Sequence, residues 1–186
     1  VHAMHPDCTF SVETKIDGLS MSLRYVKEAD GKLHLQLAET RGDGLIGEDV
    51  TANARVVGDV LQVIDLPYDS LELRGEVYMS HEDFEKYNEE QEKLEKKTAA
   101  NPRNLAAGTL RQLDTSITKK RGLKMFIFNV QDGPDVIMES HGRGMDILKA
   151  AGVPVVYHKI CKTKEEVVRA IDEIGRMREE LPYDID

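Results

Sequence analysis

The feature that most constrains the fold is an alternation of apolar and polar residues with a period of two, early in the chain. Residues 19–23 alternate apolar and small polar side chains, and residues 33–37 resume the period after a turn at 29–32. This pattern is typical of half-buried strands joined in an antiparallel hairpin. Because strands pair in hairpins before helices arrive, we expect an α+β fold with antiparallel sheets flanked by helices, rather than a doubly wound parallel sheet.

The remaining elements are predicted from residue spacing and capping signals. Further strands are expected where β-favouring residues run between turn signals, at 9–14, 70–79, 123–130 and 153–157. Helices are expected where apolar residues recur on one face or a capping residue precedes a charged run, at 48–61, 80–98, 144–151 and 163–181. Residues 101–122 contain two glycines, a proline and scattered basic residues, and are expected to be largely loop.

Composition excludes several classes of protein. With 40% hydrophobic and 32% charged residues the chain is typical of a globular domain, and no long apolar run predicts a membrane span. Cys8 and Cys161 are the two cysteines, which excludes a disulfide-rich secreted scaffold and a four-cysteine zinc site and fits the cytoplasm. The balance of 25 basic and 34 acidic residues gives a net charge of −9, which argues against a stand-alone nucleic-acid binder.

Lys15 is the first candidate for chemistry. It lies two residues from Glu13 and two from Asp17, so in a strand all three side chains share a face. One interpretation is a salt bridge on an exposed edge, and the other is a lysine nucleophile. Because a free lysine amine is protonated near neutral pH and flanking acids stabilise the ammonium form, a nucleophile here needs nearby cations or a divalent metal.

Several arginines are candidates for that positive charge. Arg41 precedes a Gly-Asp-Gly that either brings a backbone close to a phosphate or is simply a turn. Arg74, Arg103 and Arg111 carry guanidinium groups suited to bidentate phosphate contacts, or serve solubility at the surface. Glu76 lies two residues after Arg74, and either accepts hydrogen bonds from a ribose or pairs with that arginine.

Four strings carry a resemblance to a known family. They are Lys15-Ile-Asp-Gly18, the run from Thr40 to Asn53, Leu73-Arg-Gly-Glu-Val-Tyr78, and the run from Asn101 to Asp114. The first resembles the nucleophile motif of covalent nucleotidyltransferases, which include DNA and RNA ligases and mRNA capping enzymes. In this order, the four together resemble the adenylation domain of bacterial NAD-dependent DNA ligases, over essentially residues 1–186.

The resemblance implies a role for each matched residue. Lys15 would attack the α-phosphate of NAD, release nicotinamide mononucleotide and hold AMP, with Asp17 supporting a metal or orienting the lysine. Glu13 would bind the adenine amino edge, Arg41 the phosphate and Glu76 the ribose.

Three more residues take roles from the resemblance. Phe128 would stack on the adenine, although its spacing alone favours a core residue. Arg103 and Arg111 would lie near the phosphates of the DNA nick. With Lys119, Lys120 and Arg121 they form a basic stretch that could face phosphates despite the acidic total.

The family's cofactors and partners follow from the same resemblance. NAD would donate the adenylate with Mg or Mn, and zinc would be confined to a C-terminal part of the parent protein. The protein would act on nicked double-stranded DNA as a cytoplasmic monomer with no membrane contact. Cys8 and Cys161 have no Cys or His at ligand spacing, and His141 and His158 are interpreted as surface residues, so the domain itself is expected to hold no metal through side chains alone.

The family's N-terminal nicotinamide-binding segment and its C-terminal lysine motifs have no counterpart in residues 1–186. We therefore expect a fragment that does not ligate DNA. Two other functions stay open on the sequence: an ATP- or GTP-dependent nucleotidyltransferase such as an RNA ligase or capping enzyme, and a non-catalytic adapter of the same fold.

Overall fold

Two antiparallel sheets organise the chain in a computed structural model that describes residues 5, 7–42 and 47–186. The strands are β1 (Phe10–Glu13), β2 (Leu19–Lys27), β3 (Leu33–Thr40), β4 (Val63–Ile64), β5 (Ser70–Tyr78), β6 (Lys124–Asp132) and β7 (His158–Cys161). The helices are α1 (Thr51–Ala54), α2 (His81–Lys93), α3 (Pro102–Leu110), α4 (Thr115–Lys120), α5 (Asp135–Met138), α6 (His141–Ala150) and α7 (Lys164–Met177), followed by a 3₁₀ turn at Arg178–Glu180. The predicted α+β class with antiparallel sheets is confirmed.

The larger sheet has five strands in the order β4-β3-β2-β5-β6, and the smaller sheet pairs β1 with β7. The alternation in β2 divides its side chains as predicted: Met21, Leu23 and Tyr25 are buried in the core, whereas Ser20 and Ser22 lie on the opposite face. At β2, one face of the sheet is therefore apolar and covered, and the other face is polar and open.

The main core lies between the covered face and the helices. Helix α3 contributes Leu105 and Leu110, and α6 contributes Met145 and Leu148, all buried. Helix α7 packs instead against the small sheet. Its N-terminus has the predicted capping box, in which the Thr163 and Glu166 side chains each bond the other's backbone N–H.

A second apolar cluster joins the open face to the last residues of the chain. Ile16, Tyr78, Val156 and Ile185 are buried in it. The ring of Tyr78 stacks on Phe126 at 5.3 Å between centroids, with 6° between the planes. Because Ile16 is anchored here, the cluster fixes the segment that carries Lys15.

The prediction that 101–122 is largely loop is wrong, because the segment forms α3 and α4. Asn101 caps α3 by accepting from the backbone N–H of Asn104 at 2.8 Å, and Pro102 occupies the first turn. Asp114 caps α4 through the N–H of Ser116 at 2.9 Å. Both capping residues are visible in the sequence, but the glycines and the proline of this segment favour a loop when the sequence is considered alone.

Three further predictions differ from the structure. The helix expected at 48–61 is reduced to α1, because a helix-breaking Gly58 lies among β-branched valines, although Val57 is still buried. The helix expected at 80–98 is shorter, because α2 ends at Lys93 and Glu95 adopts a left-handed φ of 53° that a helix cannot continue through. The strand expected at 153–157 is a single parallel bridge from Val155 to Ile127, and the regular strand is β7. Strand β4 and helix α5 were not predicted. Within the described residues, no helix is long and apolar enough to cross a bilayer.

Candidate active site

A cleft of about 700 Å³ opens on the polar face of the large sheet, bordered by β1 and α3. All the site residues predicted from the sequence except Asp17 line it: Glu13, Lys15, Arg41, Glu76, Arg103, Arg111 and Phe128. The fold therefore brings together side chains from widely separated parts of the sequence.

The backbone around Lys15 is held on both sides. The carbonyl of Lys15 accepts from the N–H of Asp186 at 2.9 Å, and the N–H of Asp17 donates to the carbonyl of Asp184 at 3.0 Å. The neighbouring Ile16 is buried. The Lys15 side chain is nevertheless 73% exposed and lies in the cleft, so a fixed backbone presents an exposed amine.

The Lys15 ammonium forms an ion pair with the Asp186 carboxylate. The hydrogen bond and charge of Asp186 raise the pKa of Lys15, Glu76 adds to this, and the Arg103 guanidinium opposes it. The amine is therefore protonated at neutral pH while this pair is closed. The nucleophilic role expected for Lys15 would require that the pair open or that more positive charge enter the cleft.

Glu76 lies on β5 facing the same space. Burial raises the pKa of its carboxyl to about 7, while Arg103 and Lys15 act to lower it. Arg103 also donates to Asp17 at 3.0 Å. These four side chains form one electrostatic unit, in which a change of charge on any member shifts the others.

Gly18 allows the segment that follows Lys15 to lie against the strand that carries Glu76. A Cβ at Gly18 would overlap the backbone carbonyl of Val77 and approach the Cγ of Glu76 to 3.0 Å. The start of β2 can therefore lie against β5 only with glycine at this position. This gives a physical reason for the glycine that ends the Lys-x-Asp-Gly string.

Glu13 has two polar neighbours at the far side of the cleft. Its Oε1 accepts from the Ser11 hydroxyl at 2.6 Å and lies 2.5 Å from Nε2 of His141, the first residue of α6. The Glu13 side chain is 21% exposed. Phe128 packs nearby at the edge of the second apolar cluster, so its ring is partly buried and also faces the cleft.

The basic stretch predicted at residues 103–121 is divided in the structure. Arg103 and Arg111 line the cleft, where Arg111 contacts the carboxylate of Glu48. Lys120 pairs with Glu90 at 2.9 Å, and Arg121 lies over the ring of Tyr87 at 4.9 Å, both on the surface between α2 and α4. The stretch is therefore not one continuous phosphate-facing patch.

The comparison with known proteins is decisive. Residues 2–186 match the family model described as the NAD-dependent DNA ligase adenylation domain. The chain belongs to this family.

The curated relatives agree with the family model. The DNA ligase of Thermoanaerobacter sp. (strain X514) is 44% identical over 182 residues, which is 97% of this chain and 26% of that protein. The DNA ligase of Clostridium kluyveri is 46% identical over 178 residues, and that of Bacillus subtilis 41% over 181 residues. This adenylation domain thus spans about a quarter of the length of the relatives it matches.

Three neighbours of the predicted site residues in this adenylation domain carry no signal that the sequence alone reveals. Asp186 contacts Lys15, and His141, interpreted as a surface residue, contacts Glu13. Thr14 lines the cleft with its hydroxyl buried and without a partner in the described residues. Long-range contacts of this kind leave no spacing signal in the sequence, although Thr14 adjoins Lys15 directly.

The structure also differs from the sequence-based interpretations of Glu76 and His158. Glu76 forms no ion pair with Arg74 among the described residues, and the buried Nε of Arg74 has no partner there. The side chain of His158 is only 10% exposed and bonds Asp146 at 3.2 Å, so it is not a surface residue.

Proposed function

We propose that this adenylation domain catalyses the first step of DNA ligation, with Lys15 as the nucleophile. The observation that carries the proposal is the position of Lys15 in a cleft that also holds Glu76, Arg41 and Arg103, within a chain of this family. A positioned amine beside phosphate-binding cations is the arrangement that covalent nucleotidyl transfer requires.

In the proposed reaction, neutral Lys15 Nζ attacks the α-phosphorus of NAD. A nitrogen–phosphorus bond forms as the bond from that phosphorus to the bridging oxygen breaks. Nicotinamide mononucleotide departs with its phosphate, and the proton that the amine loses passes to solvent. Arg41 and Arg103 line the same cleft and are suited to balance charge on the phosphate oxygens. The Asp186 carboxylate that pairs with Lys15 must release the ammonium before the attack.

The rest of the nucleotide has matching groups in the cleft. We assign the adenine amino edge to Glu13 and the ribose hydroxyls to Glu76. Phe128 presents an aromatic ring to the cleft and would stack on the base, which contributes about 1 kcal/mol beyond burial. Binding of the adenine to Glu13 would displace or share the contact with His141.

A divalent ion is also part of the proposal. No group of three or more His, Cys, Asp or Glu side chains suited to a metal occurs among the described residues. Mg²⁺ usually binds through one or two carboxylates together with substrate phosphates. Asp17 does not line the cleft but pairs with Arg103, which does, and would hold Mg or Mn together with the nucleotide once this pair opens. The ion would supply charge that favours the neutral amine of Lys15.

We further propose that AMP passes from Lys15 to the 5′-phosphate of a nick in double-stranded DNA, within a longer ligase that carries this domain as a monomer in the cytoplasm and serves replication and repair. Arg103 and Arg111 border the cleft and are suited to contact phosphates near the break. Their partners Asp17 and Glu48 would be exchanged for DNA phosphates.

The test compares adenylate donors on the ligase that contains this domain. With NAD and Mg²⁺ we expect the intact mass to rise by one AMP and nicotinamide mononucleotide to be released, whereas ATP gives no gain. A gain with ATP and none with NAD would support an ATP-dependent nucleotidyltransferase. No gain with either donor would favour an adapter.

A further inference from the structure

Leu113 is the most exposed large apolar side chain among the described residues, at 103%. It lies in the short connection between α3 and α4. Single exposed leucines are common on protein surfaces and need no explanation when the loop around them is loosely held. This loop is not loosely held.

Hydrogen bonds fix the backbone on both sides of Leu113. The carbonyl of Gln112 accepts from Nδ2 of Asn53 at 2.8 Å. On the other side, the Asp114 carboxylate caps α4 through the N–H of Ser116 at 2.9 Å. The residues flanking Leu113 are therefore anchored in the arrangement that leaves its side chain exposed.

The anchor itself is buried. Asn53 is 7% exposed, and its Oδ1 accepts from the hydroxyl of Thr118, which is 1% exposed, at 2.7 Å. The same hydroxyl lies 2.9 Å from the carbonyl of Thr109. A satisfied buried network of this kind costs little to keep and is expensive to break. The fold therefore presents an apolar side chain to solvent on a rigid support.

The surroundings of Leu113 indicate what it would contact. Arg111 lies two residues earlier and lines the cleft, as does Arg103 at the start of α3. Two residues of chain span at most about 7 Å, so a phosphate held by Arg111 would place its attached sugar within reach of Leu113. In DNA, the sugar offers an apolar surface directly beside the charged phosphate.

We propose that Leu113 packs against a deoxyribose of the DNA strand whose phosphate Arg111 binds, next to the nick. The proposal rests on the proposed function, since it requires that this domain face DNA. Apolar side chains that enter the minor groove beside arginine contacts are an established way for proteins to hold DNA. Leu113 would supply affinity that does not depend on charge, and Arg111 affinity that does.

The test measures binding of a nicked duplex to the ligase that contains this domain, over a range of salt concentrations. L113A is expected to weaken binding about tenfold, the loss that corresponds to removing a buried leucine contact, and to leave the salt dependence unchanged. R111A is expected to weaken binding and to reduce the slope of log affinity against log salt by about one. L113M, which keeps an apolar side chain of similar size, is expected to bind the nicked duplex with about the wild-type affinity.

I171A serves as the matched control, because Ile171 is an exposed apolar residue (55%) on α7, which packs against the small sheet. It should bind nicked DNA like wild type. Unchanged affinity in L113A would overturn the inference about Leu113 alone. A fall in thermal stability or self-adenylation matching the loss of DNA binding would also overturn it, since Leu113 would then contact another part of the protein. A wild-type ligase that neither adenylates nor binds the nick would instead refute the proposed function.

Discussion

The proton on Lys15 is the single-residue feature on which the chemistry turns. Asp186 raises the pKa of this amine by a hydrogen bond and by its charge. We expect D186N to lower the pKa of Lys15, because the negative charge disappears and the remaining hydrogen bond to a neutral amide is weaker, while Arg103 is unchanged. This pKa is measured from the pH dependence of acylation of the Lys15 amine, followed by peptide mass spectrometry in D186N and wild type.

A second ion pair on the same protein gives the control for that experiment. Lys159 pairs with Glu173 at 2.6 Å, and this contact raises the pKa of Lys159. E173Q should lower the pKa of Lys159 and leave Lys15 as in wild type. An unchanged acylation profile of Lys15 in D186N would contradict the role given to Asp186.

The burial of Glu76 predicts a pH-dependent effect on the thermal stability of the domain. Burial raises the pKa of Glu76 from 4.5 to about 7, so the folded state binds a proton that the unfolded state has already released between these values. The contribution of the protonated Glu76 carboxyl to the stability of the folded state is complete below about pH 4.5 and is lost as pH rises through 7. E76Q should therefore have a higher melting temperature than wild type at pH 8, and the difference should shrink towards pH 4.5.

Thermal melts of both proteins over this pH range test the sign. E72Q is the matched control, since Glu72 lies on the same strand and face but pairs with Arg24 at 3.4 Å. It should not show the gain at high pH. Destabilisation of E76Q at pH 8 would show that the carboxylate, rather than the neutral acid, is preferred in the cleft.

Among the elements, the α3–α4 pair depends on a few buried polar contacts. Thr118 donates to Asn53 and lies within hydrogen-bond distance of the carbonyl of Thr109. T118V keeps the shape of the side chain and removes the donor to Asn53 Oδ1, while the Thr109 carbonyl still accepts from the N–H of Gln112 at 3.1 Å. The buried Asn53 oxygen left without this donor costs about 1–3 kcal/mol. Urea denaturation should show this loss, while T118S retains the hydroxyl and most of the stability. Equal stability of T118V and wild type would mean that the network does not support the pair.

The same elements show where sequence reasoning succeeds and fails. Strands β2 and β3 were predicted because alternation reports burial directly, and α7 because the Thr163–Glu166 capping box is local. The glycines and proline of residues 101–122 predict a loop, but the caps at the starts of α3 and α4 stabilise helices there. The apolar residues 153–157 predict a strand, but they are buried by contact with β6 at a single bridge and do not pair regularly within a sheet. Local signals give elements, and they do not report which neighbours complete them.

For the molecule as a whole, the net charge of −9 is misleading because acids and bases occupy different places. Helix α2 is rich in acidic residues, and none of its residues is buried. The cleft holds Arg41, Arg74, Arg103 and Arg111. Separation of charge over the surface lets an acidic protein present a basic site to a nucleotide or to DNA. The motif residues of the cleft were found from the sequence, whereas Asp186, His141 and Thr14 required the fold.

The most direct test of the central claim locates the adenylate. The ligase that contains this domain is incubated with NAD and Mg²⁺, digested, and the peptides are sequenced by tandem mass spectrometry. We predict one AMP on the peptide that contains Lys15, bound to its Nζ, and none in K15R, which keeps the positive charge and removes the nucleophile. AMP on another residue, or adenylation that persists in K15R, would contradict the assignment of Lys15 as the nucleophile.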